Sequence, residues 1–255
     1  MFDKDKYLEY LGLTGTPDAS LATLRKIHRE HQMRIPYDSG YALDLNSSGD
    51  ALGLAQASFD LDPAFETIVL SGRGGICVEL NFMFHRLLVE LGFDVQVLAA
   101  ATLLPGGVWG PDIEHMVMRV TIDGEDWLAD AGHAGISIVE PLPFSGETVV
   151  QDGIEFRLTR REEHYFLEYK TRAKDWRDSY RFLPVTRTTA DWARWRDALP
   201  LDEMVAHPRR RRRVIDNGQV TLTANLFLSV EDGEERLRLI RDENELEKIV
   251  STYWS

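Results

Sequence analysis

The sequence holds one cysteine in 255 residues, so no disulfide can close within the chain and nothing points to an oxidising compartment. It has no long uncharged apolar run. The stretch Val95–Leu104 falls well short of the roughly 20 residues that a membrane-spanning helix needs. The first residues, Met1-Phe2-Asp3-Lys4-Asp5-Lys6, are charged and lack the apolar segment of a signal peptide. Basic residues are in the minority: 29 Lys and Arg against 42 Asp and Glu leave a net charge of −13, a surface that repels phosphate backbones. Two further patterns are missing. The glycines between 72 and 75 form neither a dinucleotide fingerprint nor a phosphate loop, and no G-x-S-x-G elbow occurs. A disulfide scaffold, a helical membrane protein, a broad nucleic-acid binder and a nucleotide fold are set aside. A cytoplasmic globular protein is expected, with no membrane or nucleic-acid partner.

What is present is ordinary for a folded chain, with 44% hydrophobic and 28% charged residues. The length predicts one to two domains. Leu21, Leu24, Ile27, His28 and His31 recur at helical spacing after the start signal Pro17-Asp18-Ala19-Ser20, and Pro36 closes that helix. Residues 37–62 read as loop with short structured pieces. Cys77, Leu80, Phe84, Leu87, Leu88 and Leu91 then form one stripe, with Gly92 placed as a C′ glycine, predicting a helix over 76–91. After Gly92 the period becomes two. Segments 115–122 and 125–130 flank Asp123-Gly124, a strong hairpin signal. Further strands are expected at 154–158 and 165–169, a helix at 190–198 with Trp176, Trp192 and Trp195 clustered nearby, a strand pair at 220–228 and 236–240, and a helix near 243–254. Helices followed by a run of strands predict an α+β architecture.

The lone cysteine sits in the first turn of the predicted helix. A helix N-terminus favours thiolate over thiol, and its free N–H groups can hold an oxyanion formed in acyl transfer. The competing reading is a buried core cysteine. A nucleophilic cysteine needs a base and a group that orients the base. A two-residue loop at Asp123-Gly124 pairs Ile122 with Glu125. It would set Val117 opposite Asp130 and His115 opposite Gly132, making His115 and Asp130 diagonal neighbours roughly 7–8 Å apart at the backbone. The carboxylate could fix one ring nitrogen and leave the other for Cys77. A surface His–Asp pair is the competing reading.

These residues carry a resemblance. Arg73-Gly74-Gly75-Ile76-Cys77-Val78-Glu79-Leu80-Asn81 resembles the R-G-G-x-C-x-E-x-N signature of the arylamine N-acetyltransferase family. Ile27-His28-x-x-His31 followed by Ile35-Pro36-Tyr37-Asp38 is similar to its L-H-x-x-H-x-x-x-I-P-F-E, Glu114-His115-Met116-Val117-Met118 to its T-H-x-x-L strand, and Asp130-Ala131-Gly132 to its D-V-G. The resemblance implies a Cys77–His115–Asp130 triad. It implies an N-terminal helical bundle, a central antiparallel β-barrel and a C-terminal α/β lid around a cysteine-proteinase-like core, divided at 1–91, 92–186 and 187–255. It implies that an acyl group passes from coenzyme A to the cysteine and on to an arylamine in a ping-pong cycle, with no permanently bound cofactor or metal and with acyl-CoA or an acyl-carrier thioester as co-substrate. In one branch, amide synthases release carrier-bound polyketide chains as macrolactams, with an acyl carrier protein as partner. A homodimer is one assembly open to such a chain. Thiol hydrolase and inactive binding homologue are the remaining alternatives.

Substrate contacts are implied for Tyr37, Ile76, Gly132, His133 and Ala134. Structural roles at the site are implied for Asp38, Arg73, Glu79 and Asn81, with Asp38 and Arg73 forming an ion pair. The sequence departs from the family where Gly132-His133-Ala134-Gly135 replaces G-F-G, where Asp38-Ser39-Gly40 replaces E-N-L, where Ile76 stands for an aromatic, and where Ala100-Ala101 replaces R-V. Arg209–Arg213 reads as a solvated loop before a strand at Val214, with a phosphate contact or a nucleic-acid patch as the alternatives. His28 and His31 have metal-like spacing but no third ligand. Gly106 and Gly107 read as a connection beside His115.

Overall fold

The computed structural model describes residues 1–40, 61–104, 106–197 and 209–254; most of the expected 37–62 loop, and Pro105, lie outside that set. Four helices come first: α1 (Lys4–Tyr10), α2 (Leu21–Arg34), α3 (Leu61–Phe65), which runs into a π-helical turn at Glu66–Leu70, and α4 (Cys77–Glu90). Between α2 and α3 lies the two-residue strand β1 (Tyr37–Asp38). Asp3 caps α1 by accepting from the N–H groups of Asp5 and Lys6, and Ser20 caps α2 by accepting from Thr23 N–H, each worth about 1 kcal/mol. α4 starts without a side-chain cap at Ile76. Instead Glu79 Oε2 reaches back to accept from Ile76 N–H at 3.0 Å. At the far end Gly92 adopts φ +85°, the left-handed turn that closes a helix.

The strands follow: β2 (Asp94–Leu104), β3 (Val108–Trp109), β4 (His115–Ile122), β5 (Glu125–Ala129), β6 (Leu142–Pro143), β7 (Val149–Gln151), β8 (Ile154–Arg161), β9 (His164–Lys170) and β10 (Arg177–Thr186). They form an antiparallel sheet in the order β6-β5-β4-β2-β10-β9-β8-β7, with β3 attached to β2. The sheet is a nearly closed barrel. Around β4 and β5 both of its faces are dry. Leu98, Ala100, Val117, Phe156 and Phe182 fill the interior, while Met118, Val120, Trp127 and Ala129 pack outward against Leu24, Ile27, Phe84 and Leu87 of the helices. The helices are thus fastened to β4 and β5, and this contact brings the α4 N-terminus to the start of β4.

After β10 come α5 (Thr189–Asp197), β11 (Arg210–Ile215), β12 (Gly218–Thr223), β13 (Leu226–Glu231), β14 (Glu234–Leu239) and α6 (Glu243–Tyr253). The expected strand 220–228 is broken at Ala224, whose φ of +52° turns β12 into β13. A non-glycine residue in the left-handed region carries no sequence signal of its own. The hairpins at Asp123-Gly124, Asp152-Gly153 and Asp232-Gly233 all show positive φ at both positions, as type I′ turns require. The last sheet runs β1-β11-β12-β13-β14, so Tyr37 and Asp38, from the N-terminal part, pair with Arg212 and Arg211. The C-terminal sheet is therefore sewn to the strand beside the cysteine.

The arginine run 209–213 is not a solvated loop. Four of its residues lie in β11, and Arg212 is buried. The expected tryptophan cluster also divides. Trp192 is buried, and Trp195 packs with it against Ile76, Val97 and Met116. Trp176 lies elsewhere, under the guanidinium of Arg157 at 4.0 Å.

Candidate active site

Cys77 is the first residue of α4 and is half-buried. Its sulfur lies 3.6 Å from the Glu114 carbonyl oxygen, which accepts from it. Gly132 makes this approach possible: a Cβ there would stand 2.7 Å from the Cys77 carbonyl oxygen and 2.8 Å from Asn81 Nδ2, closer than packing allows. The close backbone contact presses the loop after β5 against the first turn of α4.

His115 opens β4, pairs with Ala100 of β2, and is buried. Its Nε2 lies 2.9 Å from Asp130 Oδ2, which leaves Nδ1 as the nitrogen free to face the thiol. The hairpin register expected from Asp123-Gly124 holds from Ile122↔Glu125 to Met118↔Ala129. The ladder then ends, so the expected pairing of His115 with Gly132 does not form. His115 and Asp130 meet by a different route, because the chain past Ala129 turns away from the sheet and folds under Asn81 and His28.

Those two residues place Asp130. Asn81 Nδ2 donates to Asp130 Oδ1 at 3.0 Å and to the Met116 carbonyl at 2.7 Å, and its Oδ1 accepts from Ala131 N–H at 2.8 Å. Gly132 N–H donates to the same Asp130 Oδ1 at 3.0 Å. His28 Nε2 accepts from Asp130 N–H at 2.9 Å, and His28 Nδ1 donates to the Val139 carbonyl at 2.9 Å. The role of His28 escaped sequence reasoning, which placed it on a helical stripe and in the family-like H-x-x-H motif and weighed that spacing as a metal pattern. Among the described residues no three His, Cys, Asp or Glu side chains gather as a metal would need.

The electrostatics follow from the same contacts. Burial opposes charging His115, but the Asp130 charge and hydrogen bond, together with Cys77, outweigh it and raise His115 to about 10. Burial likewise opposes an anionic Asp130, yet His115 beside it holds the carboxyl below its ordinary range. His133 lies against His115 with ring centroids 5.2 Å apart. Its Nδ1 accepts from Gly135 N–H at 2.9 Å, and Ser179 Oγ stands 3.4 Å from Nε2. Burial and the His115 charge push His133 down to about 3, so it is neutral where His115 is charged. A protonated imidazole beside a sulfur at a helix N-terminus can give up a proton there and take it back.

Tyr37 and Ile76 pack in the same apolar cluster as Cys77, with Met116 and Trp192. Burial pushes the Tyr37 phenol up, and the Cys77 charge adds to it. Asp38 does not take its ion-pair partner from Arg73. Its carboxylate is held by Arg209, at 2.9 and 2.7 Å, and by Arg211 at 3.0 Å. The short β1 explains the exchange: Asp38 N–H donates to the Gly75 carbonyl, while β11 runs alongside and presents its own arginines. Glu79 is buried and occupied by Ile76 N–H. Ala134 is half-buried next to His133.

In sequence and in fold the chain is similar to known proteins. A family model described as N-acetyltransferase matches residues 20–255. A proansamycin X synthase of Amycolatopsis mediterranei is 38% identical over 98% of this chain and 96% of its own length. An arylamine N-acetyltransferase of Escherichia coli is 27% identical over 89% of this chain and 79% of its own. The solved structure of the Mycobacterium marinum arylamine N-acetyltransferase in complex with CoA superposes with a TM-score of 0.81, covering 98% of this chain and 91% of that one at 23% identity.

Proposed function

The chain belongs to the arylamine N-acetyltransferase family, and on that premise we propose that it forms amides by passing an acyl group from a thioester donor, through Cys77, to an amine. In the first half-reaction the Cys77 thiolate attacks the donor carbonyl. The N–H groups at the start of α4 steady the oxyanion, and the donor thiol leaves with the proton carried by His115. The second half-reaction runs in reverse order: the amine attacks the Cys77 thioester, His115 takes the amine proton, and the thiolate departs. Asp130 holds the imidazole in the tautomer and tilt that both steps need. One observation carries this reading: Asp130 takes Nε2 of His115 and leaves Nδ1 to the sulfur. Acyl-CoA is the donor in keeping with the family.

A second reading is favoured by a separate observation. The likeness to a proansamycin X synthase runs along nearly the whole chain, and His133 stands where the family keeps a phenyl ring. Both support the amide-synthase branch, in which a carrier-bound polyketide chain is the acyl group and the amine is part of the same chain. Intact-mass spectrometry tests both. The protein is mixed with acetyl-CoA, longer acyl-CoAs and acyl-carrier thioesters, and a gain equal to the acyl group is expected on the wild type and none on Cys77→Ala. An adduct on the alanine variant would overturn the nucleophile. Release of the adduct by water as fast as by amine would make the protein a hydrolase instead.

A further inference from the structure

Arg212 is the most unusual member of the arginine run. It is 3% exposed, and among the described residues no carboxylate forms an ion pair with it. Its guanidinium is held by two neutral amides: Nη1 donates to Gln32 Oε1 at 2.6 Å, and Nε and Nη2 donate to Gln219 Oε1 at 3.1 and 2.9 Å. An unpaired buried cation is costly, so its retention calls for a use.

Both glutamines continue to the segment that follows Asp130. Gln219 Oε1 accepts from Ser137 N–H at 3.1 Å and its Nε2 donates to the Ser137 carbonyl at 3.0 Å. Gln32 Nε2 donates to the Ile138 carbonyl at 3.1 Å. One residue further on, the Val139 carbonyl accepts from His28, whose other nitrogen holds Asp130 N–H. The chain from 130 to 139 is thus clamped at both ends of one buried polar system, and Arg212 sits at its hub.

The charge is also felt where the chemistry occurs. Burial lowers Arg212 to about 10, against the pull of Asp130 and Tyr180. The same cation adds to the lowering of His28 and of His133. The groups around the pair are Cys77 and Asn81 from α4, Tyr180 from β10, His28 from α2, His133 from the loop after β5, and Arg212 from β11.

We propose that Arg212 is a positioning residue for acyl transfer: from the C-terminal sheet it clamps, through Gln32 and Gln219, the segment behind Asp130 and adds its positive charge to the surroundings in which this carboxylate faces His115. The proposal rests on the triad reading above. It gives the arginine run a task other than gripping phosphate, and it makes the C-terminal sheet part of the reaction machinery.

The test is the rate of Cys77 alkylation by iodoacetamide, and of acylation by acetyl-CoA, measured across pH on the full chain. R212Q is expected to slow acylation at neutral pH about tenfold and to move the acid limb of both profiles up by about one pH unit, because Asp130, His28 and His133 all protonate more easily without the cation. R212K keeps the charge, and its limb should stay within a few tenths of a unit of the wild type, even where its rate falls. Q32E puts a carboxylate on the guanidinium, which keeps the fold cross-linked but cancels the field, so its limb should move up as in R212Q. Wild-type profiles in a cooperatively melting R212Q overturn the proposal. Where R212Q does not fold, an unmoved limb in Q32E overturns it. A wild type with no pH-dependent alkylation at Cys77 would instead remove the triad reading itself.

Discussion

His115 at the head of β4 and His28 in α2 are equally dry, at 1% and 0% exposure, and both touch Asp130. They respond in opposite ways. His115 meets the carboxylate and is raised to about 10, while His28 meets the backbone N–H and, with burial as the main cause, falls to about 4. His31 and His133 follow His28, each lowered to about 3 by burial first. A carboxylate offers a full charge that offsets the desolvation of an imidazolium. A backbone carbonyl such as that of Val139 pulls the same way on His28 but too weakly to outweigh burial. One aspartate therefore divides the buried imidazoles into one charged ring and three neutral ones. The barrel supplies the histidine that meets the carboxylate, and the helical layer supplies the residues that hold Asp130 still.

The sharpest way to break this division is Asp130→Asn. It removes the charge and leaves the shape, so His115 should behave like His28. Acylation measured by single-turnover mass spectrometry should fall roughly ten-thousand-fold, with the fold intact. A fall of less than tenfold would show that the carboxylate does not set the state of His115.

Acid stability separates the two classes next. His28, His31 and His133 have folded values below the unfolded 6.5, so the unfolded chain binds more protons in that window. Stability is full above pH 6.5 and falls as pH drops towards about 4, by about 1.4 kcal/mol per unit for each histidine that resists. His115 has the opposite sign. Its contribution is complete below 6.5 and is lost as pH rises towards 10. Urea midpoints between pH 7 and 5 should therefore decline steeply, and a flat profile there would mean that these rings charge inside the fold.

A smaller effect is expected for His28→Leu. The change leaves Asp130 N–H and the Val139 carbonyl buried without their partner, at about 1–3 kcal/mol. At about 2–4 °C per kcal/mol for a chain of this size, the melting temperature should drop by several degrees. An unchanged melt would remove His28 as a support of Asp130.

Much of the candidate site's framework could be read from the sequence because it is locally encoded. The glycines before Cys77 and the stripe from Leu80 to Leu91 mark a helix start, and Asp123-Gly124 fixes the hairpin that carries His115. What escaped the sequence depends on contacts between distant segments. His28 reaches Asp130 across 102 residues and Arg212 reaches Gln32 across 180. A run of five arginines in an acidic chain looks like solvent-facing charge. It became a strand with a buried cation because Asp38, Gln32 and Gln219 were waiting on other elements. The Asp38 partner was misplaced for the same reason, since β1 bridges the glycine loop at Gly75 on one side and pairs with β11 on the other, and it is β11 and the residue before it that bring arginines to the Asp38 carboxylate.

An NMR titration of the histidine rings from pH 5 to 10, in the wild type and in Asp130→Asn, addresses the account most directly. It should find a single imidazolium among the buried rings at pH 8, assigned to His115 and lost in the variant, with His28, His31 and His133 neutral throughout. A His115 ring that titrates near 6.5 in both proteins would contradict the account.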